Sequence, residues 1–419
     1  MIQTVAPLAL QVDTIALSRR LQELALISEA PAPVVTRVLF SEADQRARNY
    51  VRRAADEAGL TLREDAVGNI FARWQGSDPT LPAVGTGSHT DAIPNAGLYD
   101  GVVGVLGGFE ALHALKRAGF HPRRSIEVVM FTAEEPTRFG LGCLGSRLLA
   151  GALPLERARA LRDREGLSLE HLRTAAGCQG TLESVKLSKG FYHAFVELHI
   201  EQGPLLESEN VSIGIVEHIA GPSSFRVQLI GEGGHAGAVL MPGRRDAGLA
   251  AAEIALAVEH AAKTSGSPDT VGTTGVFRIE PGAVNSVPYR AYLEIDLRDT
   301  RLDTREKAIS DIRRAAVEIC TRRSVQIDFS EINADPPAPG DAHTIAIAEQ
   351  VCVELGLSHR RMVSRAYHDS LFMARVCPTT MIFIPCRNGW SHRPEEYASP
   401  EHIAAGVEVL ARTLARLAV

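Results

Sequence analysis

At 419 residues the chain exceeds the size that one hydrophobic core usually serves, so two domains are expected. With 45% hydrophobic and 22% charged residues it has the composition of a globular protein, not of a disordered or fibrous one. A net charge of −6 argues against nucleic acid or an anionic membrane surface as partner, and no apolar run reaches the length of a bilayer span.

The N-terminal MIQTVAPLALQVDTIALSRRL lacks a basic start followed by an apolar core, so it does not read as a signal peptide. It reads as a short lead into a helix with Leu17, Leu21, Leu24 and Leu26 on the buried side. Six cysteines (Cys143, Cys178, Cys320, Cys352, Cys377, Cys386) are scattered without a CxxC pair. That fits reduced thiols better than a disulfide framework or a sulfur-ligated zinc. A cytoplasmic location is expected, with a targeting segment trimmed ahead of this numbering as the alternative.

Residues 41–59 are expected to be a helix, capped by Ser41 and stopped by Gly59. Residues 61–74 alternate around Val67-Gly68-Asn69, a hairpin pattern. The stretch LPAVGTGSHTDAIPNAGLYDG, residues 81–101, then delivers Ser88-His89-Thr90-Asp91 at the end of a small-residue strand. Tyr99-Asp100-Gly101 opens the helix that follows. Ligands in open α/β sheets collect at such strand ends, so His89 and Asp100 read as the first two ligands of a metal centre. The plainer alternative is an edge histidine and a helix N-cap. The helix, GVVGVLGGFEALHALKRAG, is glycine-rich in its first half. Glycine weakens a helix, so close packing on a sheet should offset it.

Residues 125–132 form a buried-strand pattern that runs into Ala133-Glu134-Glu135-Pro136. Side chains alternate along a strand, so both carboxylates point inward only if the chain turns there. One reading gives Glu135 to a metal and Glu134 to a proton; the other is a solvated turn. Residues 151–190 are charged and helical, without nameable chemistry. In residues 194–201, Val196, Leu198 and Ile200 face one side, and Glu197, His199 and Glu201 the other. His199 is either a third ligand or a solvated side chain.

From about Pro204 the character changes. A strand at 223–230 leads to a glycine-rich loop holding His235. An alanine-rich helix follows at 244–262, a strand at 271–279, a turn at 283–288 containing Asn285, and a strand at 291–298 ending on Arg298. A helix runs from Asp303 to Arg323, with Asp303 and Glu306 at capping-box spacing, and a strand covers 325–329. Strand, helix, strand, strand, helix, strand suits a compact α+β insertion over 208–328. The flanking 1–207 and 329–419 would form the two parts of one α/β domain. In the second part a helix at 344–355 stops at Gly356, Tyr367-His368-Asp369-Ser370 opens a short segment, and a buried strand covers 379–385. Ser391-His392-Arg393-Pro394 follows a turn, and an amphipathic helix at 400–417 closes the chain. Taken alone, His235 and His392 read as surface histidines.

Together these positions supply three imidazoles (His89, His199, His392), one aspartate (Asp100) and one glutamate (Glu135). That is enough for two divalent ions bridged by a carboxylate. A mixed N/O donor set without thiolate suits Zn²⁺, Mn²⁺ or Co²⁺. Two such ions about 3.5–4 Å apart lower the pKa of a bridging water and polarise a carbonyl. Glu134 is placed to take a proton and pass it to a leaving nitrogen. Asp91 is placed to hold the other ring nitrogen of His89.

The ordered motifs GSHTDAIPNAGLYDG, FTAEEPTRFG, LHIEQGP, GGHAGAV and GWSHRPEEY resemble the carbamoylase and allantoate amidohydrolase branch of the M20 metallopeptidase superfamily. The resemblance implies an α/β, mixed-sheet bimetal catalytic domain with an inserted, smaller α+β lid that dimerises. It implies that His89 and His199 bind one ion, Glu135 and His392 the other, and Asp100 both, with Mn²⁺ favoured over Zn²⁺, Co²⁺ or Ni²⁺. Glu134 would be the base, and His235 would stabilise the oxyanion in the neighbouring subunit's site. Asn285 and Arg298 would grip a substrate carboxylate, Gln202 would contact the ureido group, and Tyr367 and His368 would lie on the substrate side.

MVSRAYHDSLFMARV, MIFIPC and SHRPEEYASPE are most similar to the plant-type members that cleave ureidoglycolate, some of which carry an endoplasmic-reticulum targeting segment. A phenol at Tyr367, where other members tend to have glycine, would shrink the pocket toward a small ureido acid; the alternative is that Tyr367 only packs beside the site. The implied reaction is hydrolysis of (S)-ureidoglycolate to glyoxylate, ammonia and carbon dioxide. Allantoate and N-carbamoyl-L-amino acids are the alternative substrates, and a non-catalytic binding protein on the same fold is the alternative class.

Overall fold

The computed structural model describes residues 9–419. The first eight residues, the start of the N-terminal lead, lie outside them. The chain divides into two compact units: Met1–Glu217 with Pro339–Met362 and His368–Val419, and His218–Ala338 with Val363–Tyr367.

The first unit is built on a nine-stranded mixed sheet. Its centre is four parallel strands in the order Thr379–Ile384, Tyr192–Ile200, Ala83–His89, Ile126–Phe131. Ile70–Trp74 and then Thr61–Glu64 extend the sheet on one side in antiparallel fashion, as the hairpin pattern required. On the other side Ile213–Ile219 runs antiparallel to Thr379–Ile384. Parallel strands need covering on both faces, and every residue of Ala83–His89 and Ile126–Phe131 is buried. One face gathers Val84, Val128, Val196, Leu198 and Ile382 beneath the helices Val102–Arg117 and Pro400–Leu417. The other gathers Val129, Phe131 and Phe195 with Leu144, Leu148 and Met373.

The expected offset for the glycine-rich helix is present. A Cβ on Gly104 would sit 2.5 Å from the Leu198 carbonyl oxygen and 2.6 Å from Ser88 Cβ. The helix backbone therefore lies directly on the strands that carry the site, at a distance that no larger residue permits.

Three local expectations are corrected. Leu17, Leu21 and Leu24 are buried, but Leu26 is 68% exposed. The helix Thr14–Ala25 ends before it, off the buried stripe. The face of Tyr192–Ile200 that holds Glu197 and His199 is not solvated, because the second core covers it; both residues are buried. The helix Leu302–Arg323 has no capping box. Asp303 instead takes the Arg301 guanidinium at 2.6 Å, and Asp299 accepts the Arg301 N–H at 3.0 Å and the Thr304 hydroxyl at 2.6 Å.

The second unit is a four-stranded antiparallel sheet in the order Val271–Glu280, Arg290–Asp299, Gly221–Ile230, Gln326–Ala334. Phe225, Val227, Leu229, Leu293 and Ile295 on one face meet Ala251, Ile254, Ile312 and Ala316 of the helices Ala247–Lys263 and Leu302–Arg323. Strand pairing sets the limits of this unit. Gln326–Ala334 pairs with Gly221–Ile230 well past residue 328, and Ile213–Ile219 pairs with Thr379–Ile384 of the first sheet. By compactness the unit takes in His218–Ala338 and Val363–Tyr367.

Candidate metal centre

His89 closes the strand Ala83–His89, and His199 lies one residue from the end of the neighbouring parallel strand Tyr192–Ile200. Both imidazoles therefore emerge at the carboxyl edge of the sheet. Nδ1 of His89 lies 3.0 Å from the Asp91 carbonyl oxygen, and Nδ1 of His199 lies 2.8 Å from that of Ile200. A carbonyl only accepts, so each Nδ1 carries a proton, and in the neutral ring each Nε2 keeps its lone pair. The Gly101 N–H donates to His199 Nε2 at 3.2 Å, which agrees with that tautomer. The two Nε2 atoms lie 3.6 and 3.2 Å from Asp100 Oδ1.

Gly101 follows Asp100 with φ +66°, and a Cβ there would lie 2.4 Å from His89 Nε2. Glycine is what lets the carboxylate approach the imidazole this closely. Gly101, not Asp100, occupies the cap position of the helix, so the Asp100 carboxylate is not spent on capping.

The paired glutamates turn inward because Ala133 adopts φ +53°. Strand alternation ends there, and Glu134 and Glu135 are both buried. His392, with φ +58°, reaches in from the loop before the last helix. Its Nε2 lies 3.1 Å from Asp100 Oδ2 and 3.3 Å from Glu135 Oε1. Two three-donor groups thus share one carboxylate: His89, Asp100, His199 and Asp100, Glu135, His392.

A third grouping, Glu197, His199 and His368, is not a separate centre. The lone pair of His199 faces Asp100, and Glu197 accepts hydroxyl hydrogen bonds from Ser88 at 2.7 Å and Ser370 at 2.6 Å. His368 packs its ring 4.5 Å from that of His199.

The electrostatics call for a cation. Burial holds the Glu134 carboxyl well above its ordinary range, against the pull of His89 and with the repulsion of Glu135. Burial and the Asp100 charge push Glu135 up to about 7. The hydrogen bond to Asp100, with Glu135 nearby, raises His392 to about 9 despite its burial. Buried carboxylates facing one another are costly unless neutralised. Oxygen and imidazole donors of this kind fit a divalent ion of the Mn²⁺ or Zn²⁺ type.

Three further groups surround Asp100. Gln202, in a left-handed conformation with φ +55°, donates from Nε2 to Asp100 Oδ2 at 2.9 Å. Its Oε1 is buried without a partner. The Ser391 hydroxyl lies 2.9 Å from Asp100 Oδ2 and 2.8 Å from Glu396 Oε2. Glu396 was not singled out in the sequence; its one signal is its place four residues after His392 in SHRPEEY.

Asp91 departs from its expected contact. Nδ1–H of His89 donates to the Asp91 backbone carbonyl, and the carboxylate stands 3.6 Å from that nitrogen. The carboxylate instead accepts the N–H groups of Glu134 and Glu135. Cys143, also not anticipated, places its thiol 3.5 Å from Glu134 Oε1.

His235, Asn285, Arg298 and Tyr367 belong to the second unit. His235 pairs with Ser286, next to Asn285, in a two-residue bridge. Its Nδ1 accepts the Gly237 N–H at 3.2 Å, so a neutral ring carries its proton on Nε2, as a donor. Arg298 donates to Asp296 at 2.6 Å, and its guanidinium lies 5.0 Å from the centroid of the Tyr367 ring.

Residues 85–416 match the sequence profile of peptidase family M20/M25/M40. A ureidoglycolate hydrolase of Oryza sativa subsp. japonica is 54% identical over 97% of this chain and 85% of its own length. An N-carbamoyl-L-amino acid amidohydrolase of Geobacillus stearothermophilus is 38% identical over 96% of this chain and 97% of its own. The solved structure of AtUAH in complex with glyoxylate superposes with a TM-score of 0.91 at 54% identity, covering 98% of this chain and 99% of that one. With five donors of the expected motifs converging in the first unit, the chain belongs to peptidase family M20/M25/M40.

Proposed function

We propose that this protein is a metal-dependent amidohydrolase that cleaves (S)-ureidoglycolate to glyoxylate, ammonia and carbon dioxide, a late step of purine ureide breakdown. The observation that carries this reading is the 54% identity to a ureidoglycolate hydrolase across nearly the whole chain. The 38% identity to an N-carbamoyl-L-amino acid amidohydrolase keeps that substrate class, and allantoate, as second readings.

His89 and His199 would hold one divalent ion, Glu135 and His392 the other, and Asp100 would bridge, with Mn²⁺ first among the candidates. When bound, the ions supply Lewis acidity for the attacking water and the ureido carbonyl. Glu134 takes the proton of that water and carries it to the leaving nitrogen. The unpartnered Oε1 of Gln202 suits a ureido N–H. Likeness of motifs assigns Arg298 and Asn285 to the substrate carboxylate and His235, through its Nε2–H, to the oxyanion in the neighbouring subunit. Tyr367 and His368 would restrict the space to a small acid.

A homodimer through the second unit is part of the same reading. The edge strand Val271–Glu280 leaves Val271, Phe277 and Ile279 exposed, and the helix Ala247–Lys263 exposes Leu249 and Leu256. All six cysteines are free, which suits a reducing, cytoplasmic setting. No helix among the described residues is long and apolar enough to cross a membrane.

The test is ammonia release from ureidoglycolate, allantoate and N-carbamoyl-L-amino acids, side by side, with added Mn²⁺. Ureidoglycolate is expected to give by far the highest kcat/KM. Preference for either of the others reverses the assignment.

A further inference from the structure

Asp100 must present one carboxylate oxygen to His89 and His199 and the other to His392. Its own torsions do not ensure that, so something else must hold it. Glu396 is 4% exposed. Its Oε1 accepts two consecutive backbone N–H groups, that of Tyr99 at 2.7 Å and that of Asp100 at 3.0 Å. Two N–H groups of adjacent residues thus converge on one oxygen. They fix the peptide from which the Asp100 side chain springs.

Oε2 of Glu396 reaches the side chain as well. It lies 2.8 Å from the Ser391 hydroxyl, which in turn lies 2.9 Å from Asp100 Oδ2. That hydroxyl has one proton and two carboxylate oxygens within reach. Asp100 Oδ2 already receives the Gln202 amide at 2.9 Å, and the same NH₂ group donates to Ser391 Oγ at 3.2 Å, so the hydroxyl proton is best placed toward Glu396 and the link back to Asp100 Oδ2 runs through the Gln202 amide. The chain also leaves room for this side chain: a Cβ on Gly97 would fall 2.3 Å from Glu396 Cβ.

We propose that Glu396 is the positioning residue of the metal centre, clamping the backbone of Asp100 directly and its carboxylate through Ser391 and the Gln202 amide, so that its two oxygens face opposite donor groups. The proposal rests on the two-ion reading above but not on the choice of substrate. Its test is therefore direct Mn²⁺ binding.

Mn²⁺ titration of the metal-stripped protein by calorimetry would be combined with metal content after dialysis, for the unmodified chain, Glu396→Ala, Glu396→Gln and Ser391→Ala. Loss of a residue that orients a ligand weakens metal affinity by about 10–100-fold, which is expected of Glu396→Ala. Glu396→Gln keeps a carbonyl acceptor for the two N–H groups and should recover most of the affinity. Ser391→Ala should fall between them and decides the matter if Glu396→Ala does not fold. In each variant that binds weakly, excess Mn²⁺ should restore kcat, with KM near the unmodified value. Unchanged affinity in Glu396→Ala, or in Ser391→Ala should the former not fold, overturns the proposal. So does equal weakening by Ala and Gln, which would mark bulk packing. Failure of the unmodified chain to bind Mn²⁺ removes the metal centre itself, and the proposal with it.

Discussion

The Asp91 carboxylate accepts the Glu134 N–H at 3.2 Å through one oxygen and the Glu135 N–H at 3.0 Å through the other. It thereby sets the peptide that carries both the proposed base and a proposed metal ligand, while its backbone carbonyl accepts from Nδ1–H of His89. Asp91→Ala keeps that carbonyl and removes only the clamp. Turnover should fall by about 10–100-fold, chiefly in kcat, as for other residues that orient a centre from outside it. Steady-state kinetics on ureidoglycolate decides it: an unchanged kcat would mean the clamp is dispensable.

Glu134, the proposed base, stands beside Glu135, with its Oε2 3.8 Å from His89 Nε2. Glu134→Gln preserves size and removes the proton acceptor. Loss of a general base costs about 10²–10⁴-fold in rate, so kcat should drop by that much while metal content stays at the unmodified level. Metal loss in this variant would move Glu134 into the ligand set.

His235 lies in the second unit and, when neutral, bears its ring proton on Nε2. His235→Ala should leave metal content intact and lower kcat by about 10²–10³-fold, the range found when one oxyanion donor is deleted. Mixing this variant with Glu134→Gln should recover part of the activity if His235 serves the neighbouring subunit. A mixture as inactive as its parents would place His235 in its own subunit or outside the chemistry.

Asp299 gives a pH signature away from the site. Its burial would raise the carboxyl pKa, but hydrogen bonds from Thr270, Thr304, the Arg301 N–H and Ser267 outweigh that and hold it below the ordinary 3.8. A carboxylate whose pKa is lower folded than unfolded stabilises the fold above its unfolded value and loses that contribution as pH falls through its folded one. Asp299→Asn should therefore destabilise most at neutral pH, by about 1–3 kcal/mol for a buried network left short of an acceptor. The gap to the unmodified chain should narrow below the ordinary carboxylate value. Denaturant unfolding at pH 7 and pH 3 checks this; a gap that widens in acid would contradict it.

Much of this was legible in the sequence. Alternation marked the strand Tyr192–Ile200, and glycine spacing foretold the close seat of the helix Val102–Arg117. Residue chemistry alone named His89, Asp100, Glu135, His199 and His392 as one donor set, and the structure gathers them in two overlapping groups. These are properties of short stretches: periodicity, turn chemistry and the donors a side chain carries travel with the residues themselves.

Only tertiary structure decided the rest. That Glu197 and His199 are buried depends on a second core meeting the other face of the sheet. That Glu134 and Glu135 both turn inward depends on a left-handed Ala133, and which group receives the Asp91 carboxylate depends on where that turn lands. Glu396 meets Asp100 across 296 positions of chain. No local pattern encodes such a meeting, because burial and the choice of hydrogen-bond partner are settled by which distant segments pack together, and only the folded chain specifies that.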